Sequence, residues 1–215
     1  MQKPKIKICC ISSLEEAEMA IDYGASAIGL VGNMPSGPGV ISDDLIKSIA
    51  KNTAPPIESF LLTSETKAYD IITHYKRVNT NCIQIVDKLI DNDYQSLRIA
   101  LPAVKIIQVI HVIDEQSIHQ AIQIANHVDA ILLDSGNPNL STKELGGTGR
   151  THNWELSKRI CEAISTPVFL AGGINQHNVQ EAIETVQPFG IDLCSGVRTD
   201  GKLDEQKLKA FFKSL

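Results

Sequence analysis

The sequence has no apolar run approaching the roughly 20 residues that a membrane-spanning helix needs. Its start, MQKPKIKICC, passes directly into strand-like sequence without a cleavable signal pattern. Neither membrane insertion nor secretion is expected, and a cytoplasmic location is. Basic charge is in deficit too, since 20 Lys and Arg against 25 Asp and Glu leave a formal charge of −5. That argues against a sequence-independent electrostatic hold on nucleic acid or on an anionic membrane. The five cysteines, Cys9, Cys10, Cys82, Cys161 and Cys194, are odd in number, lack CxxC spacing and sit mostly in apolar runs, so free thiols are expected. No HxH or paired-carboxylate spacing points to a metal. No G-x-G-x-x-G follows the first strand-like run, and there are no internal repeats, low-complexity tracts or linkers.

What is present is 215 residues, 43% hydrophobic and 21% charged, which suits one domain over residues 1–215 with a large core. Short β-branched runs alternate with amphipathic stretches from end to end. Strands are predicted over 5–10, 26–31, 57–62, 81–86, 104–112, 128–133, 167–171 and 190–195. The first helical pattern opens at Ser13 with Glu16 three residues on and stops at Gly24; the second opens at Ser42 with Asp43 and Asp44 in its first turn. Others cover 64–77, 94–100, 115–126, 153–165, 176–186 and 203–215. Parallel neighbours need a crossover, and helices make it. Eight strand-helix pairs with short loops predict an α/β fold, a single (β/α)8 TIM barrel. An open doubly wound sheet has the same local pattern and is the alternative.

In such a barrel the chemistry assembles at the C-terminal ends of the strands. After strand 6 comes KELGGTGRTHNW (143–154), where Gly146, Gly147 and Gly149 let backbone N–H groups converge on an anion. A mobile connection has the same composition. AGGIN places Gly172 and Gly173 after strand 7, and CSGV places Ser195 and Gly196 after strand 8, the corner where phosphate commonly sits in this architecture. Singly these are tight turns; jointly they point to phosphate. Alternation along strand 1 puts Lys7 and Cys9 inside the barrel and Ile6 and Ile8 toward the helices. A thiol beside an ammonium is favoured as thiolate, the form that accepts a proton, so Cys9 is a candidate base, with a buried structural cysteine as the alternative. Asp134 shares a face with Ala130 and Leu132, and burial at the end of that apolar run suits a general acid; the alternative is a turn cap. His111 is expected to face the barrel. His74, His119, His127 and His177 fall on helical stretches and are expected to be solvated.

In their order and spacing, KICCISSLEEAEMAIDYGASAIGLV, LLDS, GGTGRTHNW, AGGINQHNVQEAI and PFGIDLCSGV resemble the phosphoribosylanthranilate isomerase family, (β/α)8 enzymes of tryptophan biosynthesis. The resemblance covers essentially the whole chain. It implies the Amadori rearrangement of N-(5-phosphoribosyl)anthranilate to 1-(2-carboxyphenylamino)-1-deoxyribulose 5-phosphate, a small phosphosugar reaction without cofactor or metal, by a monomer or homodimer. It implies Asp134 as the general acid that opens the sugar ring and Cys9 as the base that removes the C2 proton. The phosphate would rest on Gly147, Thr148, Gly149, Gly172, Gly173, Ser195 and Gly196.

The chain departs from that family at the mouth. Cys10 stands in place of a glycine, Gly39 where an arginine is expected to hold the anthranilate carboxylate, and Val86 and Asp87 where histidine and glycine are expected. A missing guanidinium is not replaced by glycine, and a carboxylate at Asp87 is expected to repel an anionic aglycone. Arg150 and Arg198 are the candidates to supply the missing cation. Two further readings stand beside the isomerase: a diverged isomerase of another aminoaldose phosphate, and a non-catalytic phosphosugar-binding barrel. The joint presence of Cys9 and Asp134 weighs against the latter.

Overall fold

The computed structural model describes residues 3–215. Eight parallel strands, β1 (Lys5–Ile8), β2 (Ala27–Val31), β3 (Glu58–Thr63), β4 (Cys82–Ile85), β5 (Lys105–His111), β6 (Ala130–Asp134), β7 (Val168–Leu170) and β8 (Gly190–Leu193), pair in chain order. The barrel closes where β8 pairs with β1 in the register Ile6↔Ile191 and Ile8↔Leu193. The outer helices are α1 (Leu14–Asp22), α2 (Asp43–Asn52), α3 (Ala68–Val78), α4 (Tyr94–Ala100), α5 (Gln116–Ile124), α6 (Trp154–Ala163), α7 (Val179–Val186) and α8 (Glu205–Lys213). The sequence expectation of a closed (β/α)8 barrel is met, and the open sheet is not.

Strand alternation sorts the core into two shells. Ile6, Ile8, Ile28, Leu30, Leu61, Ile83, Ile85, Ile106 and Ile110 belong to the layer packed with the helices. Ala27, Phe60, Leu62, Ile107, Val109, Ala130, Leu132 and Phe169 fill the interior. Lys7 lies fully buried in that interior, its Nζ 2.9 Å from Asp192 Oδ1 on β8 and 5.2 Å from the centroid of the Phe60 ring. Gly29 on β2 leaves the room, because a Cβ there would stand 2.9 Å from Cys9 Sγ and 3.0 Å from Lys7 Nζ.

Three local expectations are corrected. The first strand ends at Ile8, not at residue 10, because Cys10 takes φ 63 and leaves extended backbone. After β8 the chain forms an unforeseen hairpin, β9 (Arg198–Thr199) and β10 (Lys202–Leu203), whose two-residue strands are too short to show a period. His74 is buried and not solvated: it faces β3, with Nδ1 3.2 Å from Thr63 Oγ1 and Nε2 3.1 Å from Asp43 Oδ1.

Helix α1 begins as its sequence predicts, with Ser13 Oγ accepting from the Glu16 N–H. The Glu16 carboxylate turns back into the structure. It accepts from Arg198 at 3.0 and 3.2 Å, and from the N–H groups of Ser12 and Leu203 at 2.9 and 2.8 Å. Arg198 in turn donates to the carbonyls of Cys9, Cys10 and Gly201. One ion pair thus ties the loop after β1 to the segment after β8. Burial pushes the Glu16 carboxyl up, but Arg198 and the two N–H donors outweigh it and hold it below the usual range. A depressed folded-state pKa contributes stability that is complete above the unfolded value of about 4.3 and is lost as pH falls through the folded one. Glu16→Gln is expected to lower Tm near neutral pH and to flatten the acid loss of stability below about pH 4, read from thermal melts across pH. An acid limb as steep as that of the parent would remove Glu16 as its source.

Candidate active site

The C-terminal mouth of the barrel opens into a cavity of about 690 Å³, open solvent at its entrance included. Of the residues singled out from the sequence, Cys9, Asp134, Gly147, Thr148, Gly149, Gly172, Gly173 and Ser195 line it. Gly196 stands beside Ser195 without lining the cavity; a Cβ there would stand 2.1 Å from the Ile174 carbonyl oxygen, so glycine permits this close approach to the loop after β7.

The small residues bring the loops into contact with one another. A Cβ on Gly173 (φ 64) would stand 2.7 Å from the backbone of Arg150 and Thr151, and one on Gly147 (φ 67) would stand 2.4 Å from Pro38 Cδ. The loop after β6 is therefore pressed between the loop after β7 and the Gly/Pro-rich loop after β2. Ser36 Oγ donates to the Lys143 carbonyl, and the hydroxyls of Ser135 and Thr148 lie 2.7 Å apart. Gly149 faces Ser195, whose Oγ is 3.5 Å from the site of a Cβ. Close backbone approach and hydroxyls are what an anion can use here, because the lining contains no Lys or Arg.

Cys9 follows β1 and Asp134 ends β6, both buried and both on the cavity. Burial raises the Asp134 carboxyl above its ordinary range, against the opposing influence of His111, the Ser135 N–H and Lys7. A shift in that direction moves a carboxyl toward the range useful to a general acid. His111 pairs in register with Asp134. Its Nε2 lies 3.0 Å from the Val86 carbonyl oxygen, its Nδ1 is buried without a partner, and the ring is not part of the cavity lining.

Asp192 and Cys194 also line the cavity and were not singled out from the sequence. The signal was there for Asp192, a charged residue set in the apolar run GIDLC with the interior parity of the strand. Burial opposes the Lys7 charge, but Asp192 at 2.9 Å outweighs it and holds the ammonium above its ordinary value. Both candidate replacement cations point elsewhere. Arg198 is buried against Glu16, and Arg150 pairs with Glu144 at 2.5 Å. Asp87 is likewise not the bare repelling charge expected of it, since it lies outside the lining and pairs with Lys143 at 2.5 Å, whereas Val86 does line the cavity.

Comparison with known proteins adds to this geometry. The family model of N-(5'phosphoribosyl)anthranilate (PRA) isomerase matches residues 6–214. N-(5'-phosphoribosyl)anthranilate isomerase 2 of Methanosarcina mazei is 35% identical over 209 residues, which cover 96% of this chain and 92% of that one. Monomers of the dimeric phosphoribosylanthranilate isomerase of Thermotoga maritima superpose with a TM-score of 0.79 at 25% identity, covering 99% of this chain and 98% of theirs. A phosphoribosyl anthranilate isomerase solved in complex with reduced 1-(o-carboxyphenylamino)-1-deoxyribulose 5-phosphate gives 0.78 at 25% identity, with 99% and 98% covered.

The departures at Cys10 and Gly39 are one feature in space. A Cβ on Gly39 (φ 81) would stand 2.5 Å from the Cβ of Cys10. A side chain at one position excludes a side chain at the other. Gly39→Ala is expected to destabilise by about 1–3 kcal/mol through overpacking, and Cys10→Gly is expected to relieve that contact. A double-mutant cycle from urea midpoints should show a coupling of roughly 0.5–3 kcal/mol. Simple additivity would show that the two sites are independent.

Proposed function

The chain belongs to the N-(5'-phosphoribosyl)anthranilate isomerase family, and on that premise we infer that it converts N-(5'-phosphoribosyl)anthranilate to 1-(2-carboxyphenylamino)-1-deoxyribulose 5-phosphate. The observation that carries the reading is one cavity lined by a buried carboxyl, a thiol and three small-residue loops. Asp134 donates a proton to the furanose ring oxygen while the aryl nitrogen lone pair opens the ring to a protonated Schiff base. Cys9 as thiolate then takes the proton from C2, and the electrons neutralise the nitrogen to give an enolamine. Protonation at C1 and loss of the C2 hydroxyl proton deliver the ketose. No atoms are gained or lost, so the rearrangement needs no redox cofactor. The phosphate rests against Gly147, Thr148, Gly149, Gly172, Gly173 and Ser195, held by backbone groups and hydroxyls.

The same reading makes the chain one barrel domain acting in the cytoplasm on a small phosphosugar, as a monomer or as a homodimer like its Thermotoga maritima relative. A second reading, rearrangement of another N-substituted aminoaldose phosphate, is favoured by one specific observation. The cavity lining contains no Lys or Arg to meet an anthranilate carboxylate.

Steady-state turnover of N-(5'-phosphoribosyl)anthranilate tests the assignment. Cys9→Ser and Asp134→Asn are each expected to lower kcat by about 10²–10⁴-fold while the proteins remain folded, the range for losing a positioned acid or base. Because Asp134 acts protonated, kcat should also fall as pH rises through its elevated value. Undiminished turnover in either variant would sink the role given to that residue. Folded parent protein that turns over only a different aminoaldose phosphate would select the second reading.

A further inference from the structure

Cys10 and Cys194 face each other at the wall of the cavity, Sγ to Sγ 3.0 Å, with both thiols free. Two local features produce the approach. The left-handed backbone of Cys10 turns its side chain off the line of β1, and the absence of a Cβ on Gly39 leaves room beside it. Cys194 directly follows β8, the strand that closes the barrel against β1, so the two sulfurs bridge the closing seam. No such pairing occurs at Cys82 or Cys161 among the described residues.

We propose that Cys10 and Cys194 are a peroxide-oxidised, thiol-reversible disulfide site that controls the catalytic cavity. Cys194 is the half-buried member and reaches solvent through the cavity. Its thiol is held below the ordinary value by the contact with Cys10, against burial and with help from Arg198, as suits an attacking thiolate. Its sulfur attacks hydrogen peroxide, breaking the O–O bond to give a sulfenic acid and one water. The Cys10 sulfur then attacks the Cys194 sulfur, expelling the hydroxyl, which leaves as a second water with the remaining thiol proton. Two thiols lose two electrons in total, and peroxide is the oxidant. Drawing the sulfurs from 3.0 Å to the ~2.05 Å of a bond shifts the residues beside Cys9 and Ser195.

The test maps disulfides in unreduced digests of the full chain after hydrogen peroxide treatment, with and without dithiothreitol. Cys9 and Cys10 share a peptide, so Cys9→Ser carries the decision, because Cys10 is then its only thiol. A dithiothreitol-sensitive cross-link from that peptide to Cys194 is expected in Cys9→Ser, and its loss is expected in Cys194→Ser. Absence of the link in Cys9→Ser, or Cys194 recovered only as sulfinic acid, overturns the site. In the parent, peroxide is expected to lower turnover roughly tenfold or more, since a displacement of about 1 Å is costly to positioned chemistry, and dithiothreitol should restore it. A cross-link with unchanged turnover overturns control of the cavity. Mapping needs no substrate, so failure of this proposal is distinguishable from failure of the functional reading above.

Discussion

The buried pair of Lys7 and Asp192 is the interaction on which the mouth of this barrel depends. It joins β1 to β8 across the closing seam, in an interior filled mostly by Phe60, Phe169, aliphatic side chains and cysteines. Taking two charges from water is expensive, and a buried pair is retained only when its geometry and its surroundings sustain it. Here Gly29 leaves space for the ammonium and the Phe60 ring lies beneath it. The ammonium also bears on what lies above. Asp134 and Asp192 face the same cavity, and without Lys7 two carboxyls would share a site whose lining carries no other cation. Burial raises the pKa of both carboxyls, and the Lys7 charge opposes that rise at each of them.

A second constraint is the contact among the loops. Gly147 meets Pro38 and Gly173 meets Arg150 and Thr151 at separations that leave no room for a side chain, and Gly149 lies in ordinary contact distance of Ser195. That part of the cavity wall is thus built from backbone and hydroxyl groups that packing holds in place. The opposite wall, with Val31, Met34, Leu62, Val86 and Leu145, is apolar and side-chain-built. Of the positions that depart from the family pattern, Val86 falls in this wall.

Much of this was legible in the sequence because period-two runs and helical patterns alternate cleanly. Eight strands and the interior parity of Lys7, Cys9 and Asp134 follow from residues two apart. What was not legible depends on partners far along the chain. Arg198 looked like a free cation until Glu16, 182 residues away, took it. His74 looked solvated because helical position does not say which face meets β3. Cys10 read only as a cysteine in place of a glycine, whereas its left-handed backbone and the clash with any side chain at residue 39 are facts of three-dimensional proximity.

Closing the sheet through β1 and β8 also sets an order in time. Lys7 leaves the ribosome early, and the carboxylate that neutralises it follows 185 residues later. At about 5–20 residues per second that interval is roughly 10–40 s of synthesis. Through all of it the first strand lacks its final neighbour and the Lys7 ammonium lacks its counterion. The nascent chain therefore has an unfinished edge and no assembled mouth until β8 is made. A polypeptide truncated before β8 would lose more than a terminal segment, because the environment of Cys9, near its beginning, would never come into being.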